Sequence, residues 1–175
     1  TGAIDISQTT TRTYGTGSSA VSSTSTSNIS TTGASPTTSD SFVTVLDSSG
    51  VEQWTQRRGA SAEDEATAVA FGADGSVYVG GRTKSTMPGA SGGQVGNWDS
   101  YLMGFSAAGK PAFTTQGGTT GSDTVANIVV NGNTVYTSGV ENGDAVVKSY
   151  TIGSTTSTDA NGVSTTKTTA TLASS

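Results

Sequence analysis

Residues 40–81 of the chain recur as residues 99–139, and a chain that repeats itself at such an interval folds as an array of like units rather than around one unique core. The pairs Phe42/Tyr101, Gly50/Gly109, Trp54/Phe113, Gly59/Gly118, Asp64/Asp123 and Val69/Ile128 lie 59 positions apart. Val77/Val135, Tyr78/Tyr136 and Gly81/Gly139 lie 58 apart, which places a one-residue deletion near Asp74. A third copy starts at Gly143-Asp144-Ala145-Val146, matching the openings at Asp40 and Asp99, and then loses the pattern.

Within the repeats, short apolar runs are cut by turn residues about every eight to twelve positions, the signature of an all-β fold. Composition agrees, with 31% hydrophobic residues and 24 glycines favouring strands and turns over helices. Strands are predicted at 42–46, 51–56, 66–71 and 76–80, and again at 101–105, 111–116, 124–130 and 134–138. The expectation is that the four strands of each repeat form one small antiparallel sheet. The chain then divides into a Ser/Thr-rich segment at 1–39, a first repeat with its following loop at 40–98, a second repeat at 99–142, and a truncated repeat or capping hairpin at 143–175.

Both ends are rich in hydroxyl side chains. Residues 1–39 hold twelve Thr and ten Ser, too little apolar surface to offset the entropy of ordering by burial. This reads as a linker over 15–39, against an edge strand favoured by the β propensity of Thr; the alternation of residues 2–7 predicts a strand there. Ser and Thr fill thirteen of the positions 154–175, where Asn161-Gly162 predicts a type I′ hairpin between 155–159 and 163–171.

Charge and missing residue types narrow the chemistry. The net charge of −5 comes with scattered cations, which argues against nucleic acid, since phosphate neutralisation needs clustered Lys and Arg. No apolar run is long enough for a membrane-spanning helix, so membrane insertion is not expected. There is no Cys, hence no disulfide, thiol nucleophile or soft-metal ligand, and no His. The opening Thr1-Gly2-Ala3 without a basic-then-apolar leader suggests a processed product or an excised segment.

Two enzyme-like motifs fail by context. Gly89-Ala90-Ser91-Gly92-Gly93 fits G-x-S-x-G, but a nucleophile elbow needs a histidine base and a strand-to-helix turn. Gly104 to Lys110 resembles the start of a phosphate loop, yet Pro111 stands where magnesium needs a hydroxyl. Carboxylates remain: Glu63, Asp64 and Glu65 are the calcium candidates, because clustered hard oxygens suit that ion. The equivalence of Asp64 and Asp123 instead suggests acids that accept backbone N–H groups in turns. Trp54 and Phe113 are read as core between sheets, while Trp98, without a counterpart, is a loop residue folded onto a sheet or an exposed contact for a glycan or protein.

These repeats resemble the bacterial seven-bladed β-propeller repeat family. The residues that carry the resemblance are Asp40-Ser41-Phe42-Val43-Thr44-Val45-Leu46-Asp47-Ser48-Ser49-Gly50, Glu63-Asp64-Glu65 and Asp74-Gly75-Ser76-Val77-Tyr78-Val79-Gly80-Gly81. The resemblance implies four-stranded antiparallel blades, here a partial or composite propeller-like array, since a closed ring needs at least about four blades. It further implies a non-enzymatic, extracellular or cell-surface bacterial scaffold in an exported or appendage assembly, a filament or flagellar-type structure. Protein partners follow, through self-association or neighbouring domains of a larger chain. A carbohydrate-binding or carbohydrate-processing propeller and a calcium-stabilised adhesin segment are the alternatives; otherwise no cofactor is expected.

Overall fold

The computed structural model describes residues 39–175 in full and, before them, the backbone of two strands. The described residues form thirteen strands and no helix: β1 (Ile4–Arg12), β2 (Ser19–Ile29), β3 (Asp40–Asp47), β4 (Glu52–Arg58), β5 (Asp64–Phe71), β6 (Val77–Thr83), β7 (Ala90–Ser91), β8 (Asp99–Phe105), β9 (Pro111–Gly117), β10 (Thr124–Asn131), β11 (Thr134–Glu141), β12 (Asp144–Thr158) and β13 (Ser164–Ser174). They make three sheets, ordered β1-β2-β3-β4, β5-β6-β8-β9-β7 and β10-β11-β12-β13. Every pairing is antiparallel except the two-residue contact of β7 with β9. The all-β expectation therefore holds; no closed barrel or ring forms among the described residues.

The expected sheet composition is corrected. Each sequence repeat straddles two sheets, its first hairpin (β3–β4, β8–β9) ending one sheet and its second (β5–β6, β10–β11) opening the next. The connectors Gly59–Glu63 and Gly118–Asp123 carry the chain between layers, and hydrophobic pattern alone does not say which adjacent hairpins share a sheet. The sheets accordingly fall at 4–58, 64–117 and 124–174.

Two further expectations change at the ends. The predicted strand at 2–7 overlaps β1, but the linker reading of 15–39 gives way over Ser19–Ile29, where β2 pairs with both β1 and β3. A ladder on an otherwise open edge satisfies backbone groups, and this outweighs the scarcity of apolar side chains. Residues 1–3, where the predicted strand begins, and residues 13–18 and 30–38 lie outside the described residues. At the other end β13 completes the third sheet, so 143–175 supplies two full strands. The hairpin at Asn161-Gly162 is present with a different turn: only Gly162 has positive φ (80°), and Asp159 accepts from the Gly162 N–H at 3.0 Å, as Asp47 does from Gly50. The paired left-handed residues of a type I′ turn occur instead at Asn142 (50°) and Gly143 (91°), joining β11 to β12.

The middle sheet is buried on both faces, which explains its nearly unbroken apolar runs. On β6 and β8, Val77, Val79, Tyr101, Met103 and Phe105 face the first sheet, meeting Val43 and Val45, with Trp54 packed alongside. The alternate residues Tyr78 and Leu102 face the third sheet and meet Val125, Ile128 and Val135. Trp54 and Phe113 therefore lie at successive sheet interfaces. The Trp54 indole sits 5.8 Å from the Phe105 ring and donates to the Ala107 carbonyl at 2.9 Å, clamping the β8–β9 turn. Each fully buried Val contributes about 1.5–3 kcal/mol, more than the net worth of a typical hydrogen bond, so packing of faces holds the layers together.

Close approach of the second and third sheets depends on Gly80. A Cβ there would stand 2.6 Å from Val125 Cγ1 and 3.1 Å from Ile128 Cδ1. Gly80→Ala is expected to cost about 1–3 kcal/mol by overpacking. Gly153→Ala, where a Cβ meets nothing within 4 Å, should stay within about 0.5 kcal/mol of wild type. Denaturant unfolding of the two variants compares them; equal stabilities would refute this account of the interface.

Candidate functional site

The sheet-to-sheet connectors gather the acidic residues. Asp64 and Asp123, both buried, occupy equivalent places at the start of β5 and immediately before β10. Asp64 Oδ2 accepts from the Ala60 N–H at 2.5 Å, and Asp123 Oδ2 from the Thr119 N–H at 2.7 Å. Asp123 Oδ1 also accepts from the Asn142 N–H at 3.0 Å, tying the connector to the β11–β12 turn. Asp99 is likewise buried and accepts from the N–H groups of Val95 and Gly96 at 2.8 and 2.9 Å and from the Gln116 amide at 3.2 Å. These carboxylates complete loops whose backbone donors have no ladder partner, as the equivalence of Asp64 and Asp123 suggests.

The second oxygen of Asp64 differs. Oδ1 is buried beside the Thr83 hydroxyl, which also reaches the Ser85 carbonyl at 2.8 Å. Burial pushes the Asp64 carboxyl above its ordinary value; hydrogen bonds from the Thr83 hydroxyl and the Ala60 N–H oppose the rise, and the nearby charge of Asp40 adds to it. Asp47 moves the other way, held low by the Ser49 hydroxyl and the Val51 N–H in an exposed turn.

The three calcium candidates are not brought together. Asp64 is turned into the connector, while Glu63 pairs with Lys84 at 2.5 Å and Glu65 with Arg82 at 2.8 Å. Among the described residues no group of three acidic side chains converges as a metal site. The same cations cover Trp98: the Arg82 guanidinium lies 4.3 Å and the Lys84 ammonium 4.7 Å from its ring centroid. The Trp98 carbonyl also accepts from the Asp123 N–H at 2.8 Å, fixing this half-buried residue to the next connector. Trp98 is thus folded onto the sheet, inside a charge-balanced cluster with Arg82, Lys84, Glu63 and Glu65. Of the motif residues set aside from sequence, Ser91 lies on β7 and Ser106–Lys110 forms the β8–β9 turn.

A groove of about 490 Å³ runs between the second and third sheets, lined by Tyr78, Phe113 and Ile152, with Asp74 and Tyr78 its titratable groups. Asp74 is held low by the Ser76 N–H and hydroxyl, and burial pushes the Tyr78 phenol up, so the two titrate far apart. More distinctive is the outer face of the third sheet, where Val147 is 64% exposed, Val129 57%, Tyr136 40% and Val140 37%. Sequence reasoning missed this patch, although the repeat alignment already gave Tyr136 the same place in its repeat as Tyr78.

These features define an all-β repeat chain of stacked antiparallel sheets whose conspicuous polar residues serve the joints between layers. No family model matches it. The chain is similar to regulatory protein FlaEY of Caulobacter vibrioides, with 50% identity over 123 residues. That match covers 67% of this chain but 13% of the relative's length.

Removing the Asp123 carboxylate strands the Thr119 and Asn142 N–H groups, and Asp123→Ala is expected to lower stability by about 1–3 kcal/mol in denaturant unfolding. For Asp64 the sign is set by its raised folded pKa: its favourable contribution is complete below the ordinary value of 3.8 and is lost as pH rises through the folded value. Thermal melts at acidic and neutral pH should therefore show Asp64→Asn gaining on wild type as pH rises. A constant difference would contradict the burial effect.

Proposed function

We propose that this chain is a non-enzymatic interaction array, a partial or composite propeller-like stack that serves as a scaffold within a larger regulatory protein connected with flagella. The observation that carries the reading is that the prominent acids Asp64, Asp99 and Asp123 are spent as acceptors for connector backbone, and that Glu63 and Glu65 are spent on Lys84 and Arg82. What the arrangement leaves available is surface for protein contact. The 50% identity to a protein named regulatory protein FlaEY supports the flagellar connection. The resemblance to the seven-bladed propeller repeat supports the blade-like layering and a place in an exported or surface assembly.

In this reading Trp98 stiffens a joint: it anchors Arg82 and Lys84 beside the connector that Asp123 closes. Glycan recognition by Trp98 would first require displacing those two cations from the neighbourhood of its ring.

The test is binding against turnover. The purified chain should co-sediment with assembled flagellar filament protein or its secreted subunits and should leave a panel of glycans unprocessed. Glycan turnover abolished by Glu65→Gln or Asp99→Asn would overturn the proposal.

A further inference from the structure

The outward face of the third sheet has counterparts inside the same molecule that are already filled. Val147 lies opposite Ser138 as Leu102 lies opposite Gly80, and Tyr136 lies opposite Ser149 as Tyr78 lies opposite Gly104. Val129, paired with Tyr136, likewise holds the place of Ala70, paired with Tyr78. Leu102, Tyr78 and Ala70 pack against the third sheet. One layer earlier Val43, the repeat counterpart of Leu102, packs against the second sheet. A single kind of docking face is therefore filled twice and open once. None of the outward positions Tyr136, Ser138, Val140, Ala145, Val147 and Ser149 carries a charge, the composition of an interface centre.

We propose that this face receives a further β-sheet of the same repeat, borne by a neighbouring segment of a longer polypeptide and presenting Val or Ile where the second and third sheets present Val69 and Val77, or Ile128 and Val135. The proposal rests on the array reading above. A longer polypeptide is the indicated source because the similar FlaEY protein is several times the length of this chain, which spans 13% of it. A second copy of this chain fits less well. On the leading sheet Leu46 and Thr44 hold the repeat places of Phe105 and Met103, so that sheet has smaller and more polar residues at those positions. Ser174 stands opposite Ser149, where Phe113 stands opposite Gly104 and Trp54 opposite Val45. The contact therefore centres on β10–β12 and lacks the aromatic anchor of the two inner interfaces.

The experiment appends a second copy of residues 118–175 after Ser175, repeating the connector and the four strands of the third sheet. Val147→Asp is placed in the first copy, and the same substitution is made in the parent chain. The expected result is a similar unfolding midpoint in the parent with and without the substitution, and at least a tenfold rise in the unfolding constant of the extended chain. Tyr136→Ser should split the two chains in the same way. Equal effects in both chains overturn the proposal. So does a parent dimer in light scattering that Val147→Asp dissociates, since this assigns the face to a second copy. A parent insensitive to Gly80→Ala would instead undermine the layered array itself, so a parent that responds to Gly80→Ala beside an extended chain indifferent to Val147→Asp rejects the docking alone.

Discussion

Burial of both faces of the middle sheet is the constraint on which the rest of the structure depends. Val77, Val79 and Tyr101 on one side and Tyr78 and Leu102 on the other alternate along adjacent strands, so neither neighbouring sheet can leave without exposing apolar surface. Backbone ladders hold each sheet together, but every sheet-forming chain has them. Face packing decides that these sheets stack, and Gly80 sets how closely the second and third do so.

The connectors follow from that stacking. A chain that leaves one layer for the next passes through backbone without ladder partners, and a buried aspartate at the end of the passage supplies the missing acceptor. Asp64 and Asp123 perform this service at equivalent places, while Asp99 does so for the loop that precedes β8. The cost is visible at Asp64, whose carboxyl is pushed above its ordinary value by burial. Around the same joint, Arg82 and Lys84 are neutralised by Glu65 and Glu63 while they lie over the Trp98 ring.

Much of this was legible in the residues. The repeat exposed the all-β array and the equivalence of Trp54 with Phe113, and the coincidence of Asp64 with Asp123 pointed to a turn role. Three matters were not legible. The hydroxyl-rich segment over Ser19–Ile29 joins a sheet because β3 offers it an edge, and no local pattern reports that offer. The turn at Asn161-Gly162 takes a different form because the register of β12 against β13 leaves five residues to close it. Trp98 stands in a loop with no repeat counterpart, so its cation neighbours, both from β6 and the turn after it, emerge only when the strands are assembled.

By itself the sequence determined the strands of the two repeats, the turns within them and the positions there that must be apolar, since these depend on local alternation and on turn residues read within a few positions. Tertiary structure alone decided which hairpins share a sheet, which carboxylates meet which donors, and that Val147 is exposed while its counterpart Leu102 is buried. The physical reason is that alternation assigns a side chain to a face, whereas burial depends on what lies across that face, and the partner is supplied by residues far along the chain or on another segment.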